Sequence, residues 1–258
     1  MRILLTGETG FLGQTIKKKI IQNKKYLLLS KKPGQKYILD LNNIKKINTT
    51  LKKLQPDLVI NAAVHSNFKL KKSKKMMCIN YIAVKKITDY CKKNDKKLIQ
   101  VSGTIVHPDL KYYNIRSKLK PKNFYGITKL LADCYILKKN LNYKIIRFGG
   151  IFGLNGPNHL FANKLVNSSK KKFIFEGDLT AKRNYINVED AANCIYKLIS
   201  HHKKGIYYCG GKTVTFKKIL SIIKIAKNIV VDVKKIKSTT EIVKVSKIFN
   251  VKRFGYYL

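Results

Sequence analysis

The sequence has few acidic residues, few cysteines and no long apolar run. Its 258 residues include 13 aspartates and glutamates against 55 lysines and arginines. The five cysteines are odd in number and none is spaced C-x-x-C, which argues against a disulfide framework and a cysteine metal site. We therefore expect no bound metal and reduced thiols, as in a cytoplasmic protein.

Membrane and secretion signals are also missing from the sequence. No apolar run approaches the roughly 20 residues that a membrane-spanning helix needs. Residues 1–5 lead directly into an apolar strand pattern, without the apolar region and cleavage site of a signal peptide. The sequence thus predicts a cytoplasmic protein with no membrane partner, and its hydrophobic fraction of 45% is typical of a globular chain.

The net charge of +42 comes almost entirely from lysine, because only five residues are arginines. The lysines are spread evenly along the chain. A nucleic-acid-binding protein more often clusters its basic residues and uses arginine on phosphates and guanines. We interpret the charge as a compositional bias that causes nonspecific adhesion to polyanions at low salt. No dedicated nucleic-acid partner is expected, and a polyanion-binding protein stays open as an alternative.

Apolar runs alternate with amphipathic stretches, as in an α/β protein with a parallel sheet. The predicted strands are Arg2–Thr6, Tyr26–Ser30, Tyr37–Asp40, Leu58–Ala62, Leu98–Ser102, Lys144–Phe148, Phe173–Phe175, Tyr185–Val188 and Ile206–Cys209. The predicted helices are Phe11–Asn23, Asn42–Leu54, Lys75–Lys93, Tyr125–Lys139, Asp190–His201 and Thr215–Lys227. We expect a Rossmann-type doubly wound parallel sheet in a single unit of residues 1–258, with the core mainly in 1–150 and a smaller C-terminal lobe mainly in 151–258.

A glycine-rich turn joins the first predicted strand to the first predicted helix, with the sequence Gly-Glu-Thr-Gly-Phe-Leu-Gly at residues 7–13. Gly7 suits a tight turn, Gly10 lets the backbone approach a pyrophosphate, and Gly13 permits close packing of helix on strand. The N–H groups that open the helix then face the phosphates. The pattern predicts a dinucleotide site. Its expected contact residues are Gly7, Thr9, Gly10, Phe11, Leu12 and Gly13.

At this spacing the chain resembles the extended short-chain dehydrogenase/reductases, also called the NAD-dependent epimerase/dehydratase family. Further segments similar to that family's landmarks follow in the same order. Asp40, followed by Leu41, resembles the acid that hydrogen-bonds the adenine amino group. Ala62 and Ala63 resemble the small-residue turn on which the cofactor ribose lies. Asn80 resembles the asparagine that supports the active-site region.

The end of the second predicted strand indicates which cofactor is preferred. An acid at this position would hold the ribose 2′-hydroxyl and repel a 2′-phosphate. Here the residues are Ser30, Lys31 and Lys32, a hydroxyl followed by two cations. The sequence therefore favours NADP over NAD.

A candidate catalytic pair, Tyr125 and Lys129, stands four residues apart in the segment Asn-Phe-Tyr-Gly-Ile-Thr-Lys. Residues at this spacing share one face of a helix. A phenol with a pKa near 10 becomes a useful base only when a nearby ammonium stabilises its phenolate. The resemblance implies that Lys129 also binds the nicotinamide ribose. It implies too that Tyr125 moves a proton to or from a sugar carbonyl or hydroxyl.

The chain departs from the family pattern just before this pair. The family usually places a Ser or Thr three residues before the valine that corresponds to Val106, and that position is Gly103. Ser102 or Thr104 would have to supply the hydroxyl, and we favour Thr104. If neither does, the chain is a cofactor-binding relative with weak or lost catalysis. Thr104 and Ile105 also stand where 4,6-dehydratases have an Asp-Glu pair, which argues against dehydration.

The segment 177–190 resembles the family's substrate segment, whose arginine binds the diphosphate of a nucleotide sugar. Arg183 matches that arginine, with Asn184 beside it, and both are candidate substrate contacts. Glu189 and Asp190 open a predicted helix, where we interpret them as capping charges. Arg147 lies in a predicted core strand and is interpreted as structural.

These resemblances imply an NAD(P)-dependent enzyme that acts on a nucleotide-activated sugar, by 4-keto reduction or by epimerisation. Residues 56–63, Pro-Asp-Leu-Val-Ile-Asn-Ala-Ala, most resemble the corresponding segment of dTDP-4-dehydrorhamnose reductases, whereas the Arg183 segment is more similar to that of epimerases. Such proteins often dimerise through the helix that carries the tyrosine, so a homodimer is an open alternative.

Overall fold

Fourteen strands and eight α-helices lie in the part of the chain that the structure, a computed structural model, describes: residues 1–29, 38–66, 73–158, 160–167, 172–227, 230–235, 240–244 and 246–249. The strands are β1 (Arg2–Thr6), β2 (Leu27–Leu29), β3 (Leu58–Asn61), β4 (Lys97–Gly103), β5 (Tyr112–Tyr113), β6 (Tyr143–Phe148), β7 (Ile151–Phe152), β8 (Lys172–Glu176), β9 (Lys182–Arg183), β10 (Ile186–Asn187), β11 (Gly205–Cys209), β12 (Val214–Thr215), β13 (Val230–Lys234) and β14 (Ile242–Val243). The α-helices are α1 (Phe11–Ile21), α2 (Ile47–Leu54), α3 (Lys74–Met77), α4 (Ala83–Lys93), α5 (Phe124–Lys138), α6 (Phe161–Val166), α7 (Val188–Ser200) and α8 (Phe216–Lys227).

The main sheet has six strands in the order β11-β6-β4-β3-β1-β2. The pairs β1–β2, β1–β3 and β3–β4 are parallel. Strands in such sheets are covered on both faces, which explains their nearly continuous apolar sequences. This arrangement confirms the predicted α/β class with a Rossmann-type parallel sheet.

The strand order reverses beside β1, because β2 lies on one side of β1 and β3 lies on the other. In open parallel sheets, ligands bind at the carboxyl ends of the strands where the order reverses. The residues that follow β1 and β3 are the glycine turn and the Ala62-Ala63 pair. The topology therefore brings two of the predicted cofactor-binding segments to the same edge of the sheet.

The predicted strand Tyr37–Asp40 is wrong for the residues that the structure describes, since residues 38–40 form bends and coil. The Asp40 carboxylate accepts hydrogen bonds from the backbone N–H and the side-chain amide of Asn42. This local turn leads into a 3-10 helix, Ile44–Lys46, and then into α2. Short polar side chains that bond the nearby backbone compete in this way with extended structure.

The predicted helix 75–93 forms, but it contains a π-helical segment, Cys78–Ile82, between α3 and α4. Ser73 caps its start, where the side-chain hydroxyl accepts from the backbone N–H of Met76. The predicted helices 11–23, 125–139, 190–201 and 215–227 begin and end within two residues of α1, α5, α7 and α8, whereas the predicted helix Asn42–Leu54 begins before the 3-10 helix Ile44–Lys46 that precedes α2. The helical periodicity in the sequence was therefore a reliable guide to these elements.

The chain divides into two compact units. Unit 1 contains residues 1–108, 118–147 and 192–207, and unit 2 contains residues 109–117, 148–191 and 208–258. The core of unit 1 packs apolar side chains of α2, α4 and α5 against β1, β3 and β4. In unit 2, the rings of Phe161, Phe175 and Phe216 pack together, with the centroid of Phe175 4.9 Å from that of Phe161 and 5.0 Å from that of Phe216. Among the described residues, no helix is long and apolar enough to span a bilayer.

Replacing Gly13 by alanine tests how closely α1 packs on the glycine turn. A Cβ at Gly13 would lie 1.9 Å from the Gly7 carbonyl oxygen, whereas a Cβ at Gly10 would lie 3.3 Å from the same oxygen. Although alanine is the better helix former by about 1 kcal/mol, we expect Gly13→Ala to lower the free energy of unfolding by about 1–3 kcal/mol through overpacking. Urea denaturation of Gly13→Ala beside Gly10→Ala measures this, and an equal or larger loss in Gly10→Ala would contradict the packing argument.

Candidate active site

The glycine turn forms a compact loop at the end of β1. Gly7 has a φ of +73°, a conformation that favours glycine, and its carbonyl accepts a hydrogen bond from the Gly10 N–H at 2.9 Å. A Cβ at Gly7 would lie 2.7 Å from the backbone of Ala63, so the two turns at this sheet edge are in close contact. The structure thereby brings together the predicted residues 7–13 and the Ala62-Ala63 pair.

The helix that follows the turn presents its N-terminus without a side-chain cap. α1 begins at Phe11 after Gly10, which makes no side-chain capping bond, and its first turn contains no acid. The first N–H groups of a helix have no partner within the helix, and they attract anions. Thr9 and Gly10 are exposed, and Phe11 and Leu12 are half-buried, so the backbone here is open to a ligand. This geometry fits the pyrophosphate of a dinucleotide.

The remaining predicted cofactor residues have different positions. Ser30, Lys31 and Lys32 lie outside the described residues. Asp40 is exposed and its carboxylate is engaged by Asn42, while the Leu41 side chain packs into the core of unit 1. The Asp40 carboxylate is therefore accessible, as its predicted contact with adenine requires, but Asp40 does not lie on the predicted strand.

A chain of buried side-chain hydrogen bonds joins the last residues of β1 and β3 to the middle of β4. The Thr6 hydroxyl donates to Asn61 Oδ1, Asn61 Nδ2 donates to Gln100 Oε1 at 2.8 Å, and Gln100 Nε2 donates to the Val101 carbonyl at 3.0 Å. The Val101 carbonyl also accepts a hydrogen bond from Lys129 Nζ. The chain therefore connects the residue before the glycine turn to the predicted catalytic lysine.

Sequence reasoning missed two members of this chain, Thr6 and Gln100. A signal was present, because a polar residue follows an apolar run in three strands, and the register of the parallel sheet aligns Thr6 with Asn61 and Asn61 with Gln100. Without the register, the sequence does not show that these three polar residues are neighbours.

Asn80 lies in the π-helical segment, and its amide contacts two other elements. Its Oδ1 accepts from the His65 backbone N–H at 2.9 Å, and its Nδ2 donates to the His65 carbonyl at 3.0 Å and to Thr128 Oγ1 at 3.1 Å. Thr128 directly precedes Lys129 on α5. Asn80 thus joins the loop after β3 to the helix that carries the predicted catalytic pair. Its predicted support of the active-site region and its predicted contact with the cofactor both stay predictions.

The predicted catalytic pair stands in the first turns of α5. Asn123 caps the helix by accepting from the Gly126 N–H at 2.8 Å, and a Cβ at Gly126 would lie 2.5 Å from the Ile105 carbonyl oxygen. Gly126 therefore lets α5 approach the segment after β4 closely. Tyr125 and Lys129 fall on one face of the helix at this spacing.

Burial changes the acid–base properties of both groups in the pair. It lowers the pKa of Lys129 to about 8 and raises the pKa of Tyr125 to about 12. Removing a charged group from water favours its neutral form, which accounts for both directions. At neutral pH Tyr125 is therefore a protonated phenol, and Lys129 is a cation whose proton is lost at moderately alkaline pH.

The two candidate hydroxyls after β4 have different surroundings. Ser102 is buried and its Oγ donates to Asp133 Oδ2 at 3.0 Å, inside the layer between β4 and α5. Thr104 is half-buried and begins a 3-10 turn, Thr104–Val106. Because the Ser102 hydroxyl is donated to a carboxylate, Thr104 is the better candidate, as the sequence favoured.

A buried charge cluster that the sequence analysis missed lies beside the pair. Arg147 Nη2 and Nε are 3.0 and 3.1 Å from Asp133 Oδ2, and both side chains are almost fully buried. Burial raises the pKa of Asp133, whereas Arg147, Lys129 and the Ser102 hydroxyl lower it. Arg147 is structural, as expected, but its partner was overlooked although it stands four residues after Lys129.

His107 was expected to have a packing role. It is buried, its Nδ1 donates to the Lys118 carbonyl at 2.7 Å, and burial lowers its pKa. A buried neutral imidazole fixed to a backbone carbonyl agrees with that expectation. Among the described residues, no group of three or more His, Cys, Asp or Glu is placed to hold a metal ion.

In unit 2, Arg183 lies half-buried against an aromatic ring. Its guanidinium carbon is 4.8 Å from the centroid of the Phe216 ring, its Nη1 donates to the Lys182 carbonyl, and its Nε is 3.7 Å from Glu241 Oε2. Burial raises the pKa of Glu241, and the Arg183 guanidinium opposes this. The sequence analysis missed both Phe216 and Glu241. A guanidinium can contact an aromatic face and still bind a carboxylate or phosphate through its N–H groups.

Asn184 was predicted to bind substrate, but its amide is engaged within unit 2. Its Nδ2 donates to the Gly211 carbonyl at 2.6 Å and to Thr213 Oγ1 at 3.1 Å, and its Oδ1 accepts from the Val243 N–H at 2.6 Å. These bonds use both amide protons, so the side chain holds backbone segments together. These bonds give Asn184 a structural role, and its predicted contact with substrate stays a prediction.

The acid pair before the helix agrees with the expected capping role. Glu189 and Asp190 lie in the first turn of α7, where carboxylates interact favourably with the helix dipole. The side chain of Asn187 accepts from the Glu189 N–H at 2.8 Å. These residues stabilise the start of α7.

Residues 1–249 match the family described as the RmlD substrate binding domain. The chain belongs to this family. The matched range includes residues of both units.

Two characterised relatives show the range of the similarity. GDP-6-deoxy-D-talose 4-dehydrogenase of Aggregatibacter actinomycetemcomitans is 26% identical over 78% of this chain and 70% of its own length. dTDP-4-dehydrorhamnose reductase of Escherichia coli is 26% identical over 67% of this chain and 58% of its own length. The second alignment thus spans less than two thirds of the reductase.

A solved structure shows the shared fold. The dTDP-4-dehydrorhamnose reductase of Bacillus anthracis, solved in complex with NADP, superposes with a TM-score of 0.80 over 98% of this chain and 94% of that chain. The two sequences are 18% identical. At this identity the likeness establishes the fold.

Proposed function

We propose that this chain is an NAD(P)-dependent enzyme that reduces the 4-keto group of a nucleotide-activated sugar, with Tyr125 and Lys129 at its catalytic centre. The observation that carries the proposal is the hydrogen-bonded chain from Thr6 to the Val101 carbonyl and on to Lys129 Nζ, which links the phosphate-binding turn to the catalytic helix within unit 1. The names of both relatives describe oxidoreductases of deoxysugar nucleotides that act at the 4-position, which supports this reaction class.

Residues of unit 1 would hold the cofactor. The backbone at residues 7–13 and the N-terminus of α1 would bind the pyrophosphate, and Ala62-Ala63 would leave room for the ribose. When bound, a reduced nicotinamide supplies the hydride. Ser30 and Lys31, where the sequence lacks an acid, favour NADP, and the Bacillus anthracis relative holds NADP. We therefore propose NADP as the preferred cofactor.

The acid–base properties of the pair suit carbonyl reduction. Tyr125 is protonated at neutral pH because burial raises its pKa to about 12, so it enters the reaction as a proton donor to the carbonyl oxygen. Loss of that proton leaves a phenolate, which the Lys129 ammonium stabilises. Thr104, with its hydroxyl outside the buried charge cluster, would hydrogen-bond the same oxygen.

In unit 2, Arg183 would bind the substrate's diphosphate. Its guanidinium carbon lies 4.8 Å from the centre of the Phe216 ring, and a planar guanidinium suits bidentate contacts with phosphate oxygens. Glu241 is the anion that such a diphosphate would have to replace on Arg183. The proposed nucleotide-sugar substrate therefore depends on Arg183, which contacts Phe216, the Lys182 carbonyl and Glu241.

Titration with NADPH at moderate salt, followed by a panel of nucleotide 4-keto sugars, tests the proposal. We expect saturable NADPH binding and consumption of nicotinamide absorbance with at least one sugar. Interconversion of sugars without net consumption would identify an epimerase instead. Binding without any conversion would identify the cofactor-binding alternative that Gly103 suggests. If no saturable binding occurs, both enzymatic and cofactor-binding proposals fail and a polyanion-binding protein remains.

Tyr125→Phe removes the proton donor and keeps the ring. We expect kcat to fall by about 10²–10⁴-fold, the usual contribution of a positioned acid, while NADPH affinity stays largely intact. Tyr135→Phe is the matched control, because the same change on α5 removes a hydroxyl that donates to Asp89 on a partly exposed surface. Unchanged turnover in Tyr125→Phe would refute the catalytic assignment.

Arg183→Ala tests the diphosphate contact. We expect nucleotide-sugar binding to weaken by about 1–3 kcal/mol, the scale of a lost charged hydrogen bond, with no change in NADPH affinity. Lys182→Ala removes an equal charge from the neighbouring exposed residue, and it corrects for general electrostatic attraction in this basic chain. Calorimetry with the free nucleoside diphosphate measures both variants, and equal losses in the two would contradict a specific role for Arg183.

A further inference from the structure

One face of α5 carries three ionisable side chains in succession. Tyr125, Lys129 and Asp133 are spaced four residues apart, so each lies about one helical turn from the next, with Cβ atoms of neighbours about 5–6 Å apart. Lys129 and Asp133 are both buried in the described structure. The acid is therefore placed directly beyond the lysine on the same helix face.

The carboxylate of Asp133 is held in place by groups from two strands. Its Oδ2 accepts hydrogen bonds from Ser102 Oγ on β4 at 3.0 Å and from Arg147 Nε on β6 at 3.1 Å, and it forms an ion pair with Arg147 Nη2 at 3.0 Å. Its Oδ1 has no hydrogen-bond partner among the described residues. The position of the negative charge is therefore set by two hydrogen-bond donors and one ion-pair contact on the same oxygen.

Lys129 needs such a negative charge in order to remain a cation. The bond from its Nζ to the Val101 carbonyl is to a neutral acceptor, and a buried ammonium without a counter-charge tends to lose its proton. Burial lowers the pKa of Lys129 and the charge of Asp133 raises it. Deprotonated Lys129 would be unable to stabilise a phenolate at Tyr125.

We propose that Asp133 is a positioning residue that keeps Lys129 in its cationic form, with Arg147 and Ser102 holding the Asp133 carboxylate in position. The proposal rests on the function proposed above, in which the Lys129 cation acts on Tyr125. It assigns a catalytic consequence to a charge cluster that would otherwise serve only to hold α5 on the sheet.

The groups around the cluster lead to opposite expectations for its two charged members. On α5 the titratable neighbours are Tyr125 and Cys134, and from the packed elements they are Arg147 on β6 and His107 after β4, whose pKa Arg147 helps to lower. The π-helical segment contributes the uncharged Asn80. Removing Asp133 should lower the pKa of Lys129, whereas removing Arg147, a cation that competes for Asp133, should not.

The experiment follows the titration of Lys129 itself in the full-length protein. The side-chain resonances of isotope-labelled lysine are recorded against pH, and the Lys129 signal is identified by its absence in Lys129→Arg. Asp133→Asn should shift the midpoint of Lys129 downward by at least about one pH unit, the effect of losing an opposite charge at close range. Arg147→Met should leave the midpoint unchanged or higher. Asp89→Asn, an acid-to-amide change on the partly exposed surface of α4, serves as the control and should have no effect.

The two charge variants separate an electrostatic role from a merely structural one. A lower midpoint in Asp133→Asn with no lowering in Arg147→Met supports the proposal. An unchanged midpoint in Asp133→Asn, or an equal lowering in both variants, overturns it. If Asp133→Asn fails to fold because Arg147 is left unpaired, the double variant Asp133→Asn/Arg147→Met is compared with Arg147→Met, since removing both members of a buried pair is often tolerated. A lower midpoint in the double variant supports the proposal, and equal midpoints overturn it.

A kinetic measurement then links this charge to catalysis. Below its pKa Lys129 is a cation, so activity that depends on the cation is lost as the pH rises through that pKa. The alkaline limb of kcat should therefore move to lower pH in Asp133→Asn, by the same amount as the Lys129 midpoint. A limb that stays in place while the midpoint moves overturns the proposal. If the wild-type protein turns over no sugar, the proposed function has failed, and the Lys129 titration still decides separately whether Asp133 acts on Lys129.

Discussion

The buried hydrogen bonds of Thr6, Asn61 and Gln100 are the constraint on which the geometry of unit 1 depends. They cross three adjacent strands at one edge of the sheet and end on a carbonyl that also accepts from Lys129. None of these polar groups can exchange its partner for water, because all three side chains are buried. Breaking one bond would leave a desolvated donor or acceptor at a cost of about 1–3 kcal/mol. These bonds thereby fix the position of α5 relative to the end of β1, where the glycine turn begins.

Local patterns in the sequence predicted most of the fold and the position of the main site residues. The apolar runs gave the strands of the sheet, and the glycine spacing and the Tyr125–Lys129 spacing gave the turn and the helix face. Local competition explains the failed strand, where Asp40 bonds Asn42 instead of continuing an extended segment. The roles of Asn184 and Glu241 were beyond prediction, because their partners are 27–59 residues away in the sequence.

Because acidic residues are scarce, the contacts that they make in the structure are informative. With 13 acidic residues against 55 basic ones, most lysines have no carboxylate to pair with. Three acids show where carboxylates are used. Asp133 pairs with Arg147 in the core, and Glu8 of the glycine turn pairs with Lys17 of α1. Asp57 pairs with Lys96 and also accepts a hydrogen bond from the Arg2 N–H at the start of β1. Each of these carboxylates forms an ion pair or a hydrogen bond with a particular group of the fold, such as the buried Arg147 guanidinium or the N–H group that starts β1. The abundant lysines are consistent with a solvated surface, whereas these acids form specific contacts that hold parts of the fold together.

The π-helical segment has a consequence for how this chain tolerates change in length. A π turn contains about one residue more than an α turn, so it behaves as an insertion within an otherwise regular helix. Deleting one residue from Cys78–Ile82 would allow a more regular helix with better backbone hydrogen bonds. It would also rotate everything on one side of the deletion by about 100°, and Asn80 could not reach both His65 and Thr128. The irregular turn is thus a place where the helix gives up local regularity to keep a long-range contact.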